Sequence, residues 1–211
     1  MTNDLTAIAA TAAGPHLFWI TSRAAGIAAL ALSSLAVCAG LLLGGRLWRR
    51  NRSELRVVHE ALSLAALAAL AVHGLSLLGD GYLHPSFIDI AVPFAGSYKT
   101  LWTGVGIVAF WMLALLGPSY YLRTRIGVQR WRKLHRFAAL AWLLGLLHAL
   151  GEGTDAGTAW FLASLGLVAV PALALLAARW LLPAPAAREQ RRRAVPGAAR
   201  RALAHVHLRT E

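Results

Sequence analysis

Four histidines stand where an imidazole would find no water. His59 and His73 lie 14 residues apart in RVVHEALSLAALAALAVHGL (56–75), and His135 and His148 lie 13 apart in WRKLHRFAALAWLLGLLHAL (131–150). Each pair brackets an apolar run whose charges gather at one end. Ionisable side chains within such segments are costly and mark functional positions. A neutral imidazole can ligate a metal through one ring nitrogen or pass a proton along a chain of titratable groups.

The elements that hold them are membrane spans. The chain has 211 residues, 58% hydrophobic and 14% charged, where a soluble domain carries roughly 25% charged residues. Several runs reach the ~18–20 apolar residues that cross a bilayer. Long Leu/Ala runs argue for helices, not for the alternating strands of a barrel. The expected fold is all-α: a polytopic membrane helical bundle of about five transmembrane helices. The spans read as 17–43, 55–78, 100–122, 134–150 and 159–182. Gly117-Pro118 should kink the third, and Pro171 is tolerable in the fifth where neighbours satisfy the freed carbonyl.

Three stretches lie outside this frame. Residues 1–15, with a Gly14-Pro15 break, read as a disordered lead; 16–182 form the membrane domain; 183–211 form a basic cytoplasmic tail, disordered or lying on the membrane surface. Between spans two and three, residues 82–99 mix aromatics, prolines and polar groups, as an interfacial segment would. GEGTDAGT (151–158) reads as a short acidic turn.

The net charge of +12 does not point to nucleic acid, because the basic residues flank the apolar spans. Residues 45–56 hold five, 123–136 six and 179–211 eight, leaving Arg23 and Lys99 on the other side. The positive-inside bias then puts the N-terminus outside and the C-terminus in the cytoplasm. With no basic n-region, a cleaved signal peptide is not expected. Spans two and four both run outward. His59 and His135 fall at an inner level, His73 and His148 at an outer one, ~20 Å away along the axis.

One imidazole from each helix at each level could grip a haem: His59 with His135, His73 with His148. Cys38 stands alone and no CxxCH motif occurs, so two haems b held non-covalently are expected. Bis-histidine ligation closes both axial sites and suits electron transfer. Arg56, Arg132, Lys133 and Arg136 could meet propionates at the inner level; Arg23, Lys99, Tyr98 and Ser97 could do so at the outer one. One feature of the register resists. Thirteen residues leave a straight helix ~140° from the same face, which requires crossing helices, a bend near Gly145, or haems approached from different sides.

The blander readings carry less. One intramembrane histidine can be a packed core residue, but four in two matching pairs are harder to place so. A proton relay lacks acidic partners in the span interiors, and the pairs are too far apart for one zinc ion. Trp142 between the levels reads chiefly as packing, with an electronic bridge as the alternative. His16, His84, His205 and His207 read as surface residues. Glu60 could tune the inner site or reach the headgroups. REQRRR in the tail suits anionic lipid, with docking of a reductase as the alternative.

These spans resemble the ferric reductase-like transmembrane domain. That superfamily includes the membrane cores of NADPH oxidases, ferric reductases and the haem-binding subunit of the bacterial methionine sulfoxide reductase system. The resemblance rests on the paired histidines at 14 and 13 residues, the Arg before each pair, and SRAAGIAAL at 22–30. It implies two stacked b-type haems carrying electrons from inside to outside, with Arg23 beside the outer one. No GxGxxG follows a predicted strand, so the chain should borrow its donor, a flavoprotein or membrane quinol. The acceptor could be ferric iron, oxygen or a periplasmic reductase such as methionine sulfoxide reductase. The expected site is the cell membrane, in bacteria the inner membrane, as an oxidoreductase component. The alternative of another class is a haem-free membrane scaffold or transporter.

Overall fold

The computed structural model describes residues 2–45 and 51–181. Every regular element among them is helical. The order is α1 (Thr2–Gly44), α2 (Arg52–Ser76), α3 (Phe87–Ala91), α4 (Thr100–Leu116), α5 (Arg123–Ile126), α6 (Val128–His135), α7 (Phe137–Glu152) and α8 (Ala159–Leu181). Tight helical turns at Leu77–Gly79 and Pro118–Leu122 extend α2 and link α4 to α5. Five segments are long and apolar enough to cross a membrane: Leu17–Gly44, Arg52–Gly79, Thr100–Ile126, Val128–Glu152 and Ala159–Leu181. The protein is a multi-pass membrane protein.

The chain forms two compact units, 1–175 and 176–211. The second is described only over 176–181, the last residues of α8; the basic tail expected at 183–211 lies outside the described residues. In the first unit α1 packs along α2 and α4 along α7. The seams are built from small residues: Ala29, Ala36 and Ala39 on α1, Ala66 on α2, Ala109 on α4 and Ala141 on α7 are all buried. Small side chains let backbones approach where lipid removes the hydrophobic drive to associate. Large apolar side chains point outward instead, among them Leu115 and Leu167, 70% and 78% exposed. A surface of that kind suits lipid and not water.

Residues 2–15 are helical and continue α1. The stretch is rich in Ala, the strongest helix former, and Gly14-Pro15 does not stop it. The irregularity in the fourth span falls at Arg136, between α6 and α7, and not near Gly145. There the Ala139 amide donates to the Arg136 carbonyl at 3.2 Å, a three-residue turn. Such a turn advances ~120° per residue against ~100°, which recovers roughly 60° of the register between His135 and His148. At Gly117-Pro118 α4 ends, at Leu116, and a tight turn begins at Pro118.

Candidate functional site

Helix α2 carries His59 and His73, α6 ends on His135 and α7 carries His148, and the structure sets the four in two facing pairs. His59 and His135 have ring centroids 6.2 Å apart with planes crossed at 88°. His73 and His148 also stand 6.2 Å apart, crossed at 74°. The first pair lies at the end carrying the basic loops, the second at the opposite end.

Backbone carbonyls orient three of the four rings. His73 Nδ1 donates to the Ser22 carbonyl at 2.8 Å, His59 Nδ1 to Ala36 at 2.8 Å, and His148 Nδ1 to Trp102 at 2.9 Å. An imidazole that donates from Nδ1 keeps its Nε2 lone pair for a metal. Ser22 is itself buried; its hydroxyl donates to the His73 carbonyl at 2.9 Å and lies 3.1 Å from His73 Nδ1. His135 differs, because its buried Nδ1 has no partner among the described residues. Its ring stacks on Trp131 instead, centroids 5.0 Å apart.

Glycines make room for the rings. A Cβ on Gly26 would stand 2.9 Å from His73 Nδ1, one on Gly40 3.0 Å from His59 Cε1, and one on Gly106 2.7 Å from His148 Cγ. Gly26 and Gly40 are 14 residues apart on α1, as are Ser22 and Ala36, matching the 14 between His59 and His73 on α2. Helix α1 thus presents the same cradle twice, a glycine and a carbonyl at each level. That repeat is present in the sequence, but its meaning depends on knowing that α1 lies antiparallel against α2.

Between the levels stands Trp142, 1% exposed. Its indole N–H donates to Ser34 Oγ at 3.0 Å, and Leu146, Ala169 and Ala172 complete the buried cluster around it. A cleft of about 510 Å³, open mouth included, runs beside the first pair and is lined by His59, His135, Ser33, Ser63, Leu67 and Trp142 among others.

The charged residues divide into two groups. Arg56, Arg132, Lys133 and Arg136 are exposed around the first pair's end. Arg23 forms an ion pair with Asp155, from the acidic turn, and lies over the Trp19 ring at 5.0 Å. Asp155 is 9% exposed, and nothing in its local sequence marks it as Arg23's partner. Lys99, itself in a left-handed conformation (φ 37°) at the start of α4, donates to the carbonyls of Gly151 and Glu152, both at 3.3 Å. A cation there complements the negative end of α7. Ser97 and Tyr98 are exposed beside it, and His84 is exposed in the loop. Glu60 accepts from the Tyr121 hydroxyl.

Among the described residues no three His, Cys, Asp or Glu converge, which argues against an all-protein metal site there. A pair of imidazoles can supply two ligands in line. Metal–nitrogen bonds of about 2.0 Å would set such ring centroids about 6 Å apart, as both pairs are. An ion so held needs its remaining ligands in a plane between the rings.

A family model described as ferric reductase like transmembrane component matches residues 25–146, more than half the chain. The chain belongs to this ferric reductase-like transmembrane family. The match includes His59, His73 and His135 and ends two residues before His148. No curated protein and no solved structure matches the chain. The family points to electron transfer across the membrane.

Proposed function

We propose that this chain conducts electrons across the membrane through two b-type haems, each held by one histidine of α2 and one of the fourth span, His135 of α6 or His148 of α7. His59 and His135 hold the inner haem, His73 and His148 the outer one. The observation that carries this reading is the pair of 6.2 Å imidazole separations. Two imidazoles so spaced would hold one haem iron between them.

The residues around each pair fit that group. Carbonyls at Ser22, Ala36 and Trp102 fix three rings with Nε2 free. The cleft beside His59 and His135 is nearly all apolar, as a macrocycle face requires. Exposed Arg56, Arg132, Lys133 and Arg136 supply cations for inner propionates. Arg23 and Lys99 serve the outer level, where electrons leave. The bound haems supply one-electron redox chemistry; the protein holds them in line and keeps water from the path.

The positive-inside bias orients the chain with electrons moving outward. A separate flavoprotein or membrane quinol is the donor, and ferric iron, oxygen or an extracytoplasmic reductase accepts. The test is the purified chain in sealed vesicles, with an impermeant reductant on one side and a ferric chelate on the other. Reduction across the bilayer that needs haem, and is lost in His59→Ala and His148→Ala, supports the reading. Transfer that persists in a haem-free preparation overturns it.

A further inference from the structure

A chain of ring contacts leads from the basic end of the molecule to the inner histidine pair. After α4 the chain folds through the turn at Pro118–Leu122, then α5 and α6. Gly127, between the two short helices, has φ 90°, which glycine adopts without strain. That reversal brings Trp131 back against the turn. The Trp131 ring lies on the His135 ring, centroids 5.0 Å apart and planes 26° from parallel. Tyr120 meets Trp131 at 5.7 Å, its plane inclined by 64°. The Arg123 guanidinium lies over Tyr120, 4.0 Å from its centroid, and donates to the Tyr120 carbonyl at 2.9 Å. Tyr120, Arg123 and Trp131 are all partly buried. Trp131 precedes His135 by four residues on α6, about one turn or ~6 Å nearer the basic end. A tryptophan at a membrane interface ordinarily sinks its ring among apolar chains and turns its N–H to water. This one gives its N–H to Ser119 Oγ at 3.1 Å and its face to His135. The second pair has no counterpart: among the described residues, His73 and His148 have ring contacts only with each other.

We propose that the Trp131–His135 stack is where electrons enter the chain, with Trp131 bridging a donor at the basic face to the inner haem and with Tyr120 and Arg123 as positioning residues that hold the indole plane. This rests on the dihaem reading. One electron leaves a reduced flavin or a quinol, and the inner iron takes it, ferric to ferrous. The indole is neither oxidised nor reduced; it fills with π density a gap that the electron must otherwise tunnel across. Tunnelling falls off steeply with such a gap, so a ring in contact with an iron ligand matters where an aliphatic side chain of similar burial does not. The Tyr120 contact and the cation over Tyr120 fix the geometry. Arg125, Arg130, Arg132 and Lys133 in the same segment are exposed, and a basic rim of that kind raises the local concentration of an anionic reductant.

The test is stopped-flow reduction of the full-length, haem-loaded chain in sealed vesicles, with dithionite as the impermeant reductant. With the basic end facing the bath, Trp131→Leu should slow haem reduction by about tenfold, while Trp131→Phe stays near the wild-type rate. With the opposite end facing the bath, both variants and the wild type should be reduced alike. Two haems per chain and both midpoint potentials, read by spectroelectrochemistry, should be retained. Wild-type entry in Trp131→Leu overturns the proposal. Slowing from both faces, or an inner midpoint that falls along with the rate, also overturns it, because the residue then acts through packing or driving force. Should Trp131→Leu lose the inner haem, Tyr120→Leu decides, since it keeps the indole and frees its plane: slower entry from the basic face alone supports the proposal, and wild-type entry overturns it. A wild-type chain without two haems overturns the dihaem reading itself, and is recognised before any rate is measured.

Discussion

Arg23 on α1 and Asp155 in the turn between α7 and α8 form an ion pair, its carboxylate buried and its guanidinium about a third exposed. It ties the outer end of α1 to the turn that follows α7, and it holds Arg23 over Trp19. Losing one partner of a partly buried pair strands the other charge, though solvent screens part of the cost. Asp155→Asn is therefore expected to destabilise the chain by about 1–3 kcal/mol, read as a lower thermal midpoint in detergent. Arg23→Ala should retain both haems yet slow transfer to an external acceptor. Unchanged acceptor kinetics would remove Arg23 from the exit.

Gly106 and Gly145 give a matched comparison. A methyl on Gly106 collides with the His148 ring, whereas one on Gly145 meets nothing within 4 Å. Gly106→Ala should lose the outer haem selectively, halving the haem recovered per chain. Gly145→Ala should keep both haems and gain up to about 1 kcal/mol from helix propensity. Equal haem content in the two variants would refute the cradle.

Much of this arrangement is legible in the sequence, for identifiable reasons. Apolar runs of bilayer length place the five spans, and histidines within them stand out because hydrocarbon penalises them. The parallel direction of spans two and four follows from where Arg is concentrated. What does not follow is anything set by contact between distant elements. Asp155 lies in a polar turn like any other until Arg23 is seen against it. The turn at Arg136 has no Gly or Pro to announce it, and Gly145, which the composition singles out, leaves α7 unbroken.

Trp142 separates packing from conduction. Its indole fills the space between the levels and bonds Ser34. Trp142→Ala should cost about 3–5 kcal/mol as a buried cavity, with both haems lost as the core loosens. Trp142→Phe removes the N–H and keeps most of the volume, so haem content should hold and stability fall by about 1 kcal/mol. Flash-induced transfer between the haems in Trp142→Phe tells the roles apart: an unchanged rate assigns Trp142 to packing.

The loop after α2 carries a pH-sensitive element outside the spans. Ser86 and Asp89 form a reciprocal capping box at the start of α3. The Ser86 hydroxyl and amide both donate to the Asp89 carboxylate, at 2.7 and 2.8 Å, and hold its pKa below the ordinary value. A folded-state pKa below the unfolded one means the stabilisation is full above the unfolded pKa and is lost as pH falls through the folded one. The protection of the amides at 86–91, measured relative to their intrinsic exchange rates at each pH, should therefore fall on acidification into and below the normal carboxylate range. Asp89→Asn should show low protection at neutral pH with little further change, and a pH-dependent protection retained in that variant would contradict the box.

The central claim is that four imidazoles bind two iron porphyrins at separate depths. Pyridine haemochrome quantitation on the purified chain, from cells well supplied with iron and porphyrin, tests it most directly. The account predicts two haems b per wild-type chain, and one in each of His59→Ala, His73→Ala, His135→Ala and His148→Ala. A colourless wild-type protein, or any of these variants still returning two haems, would contradict it.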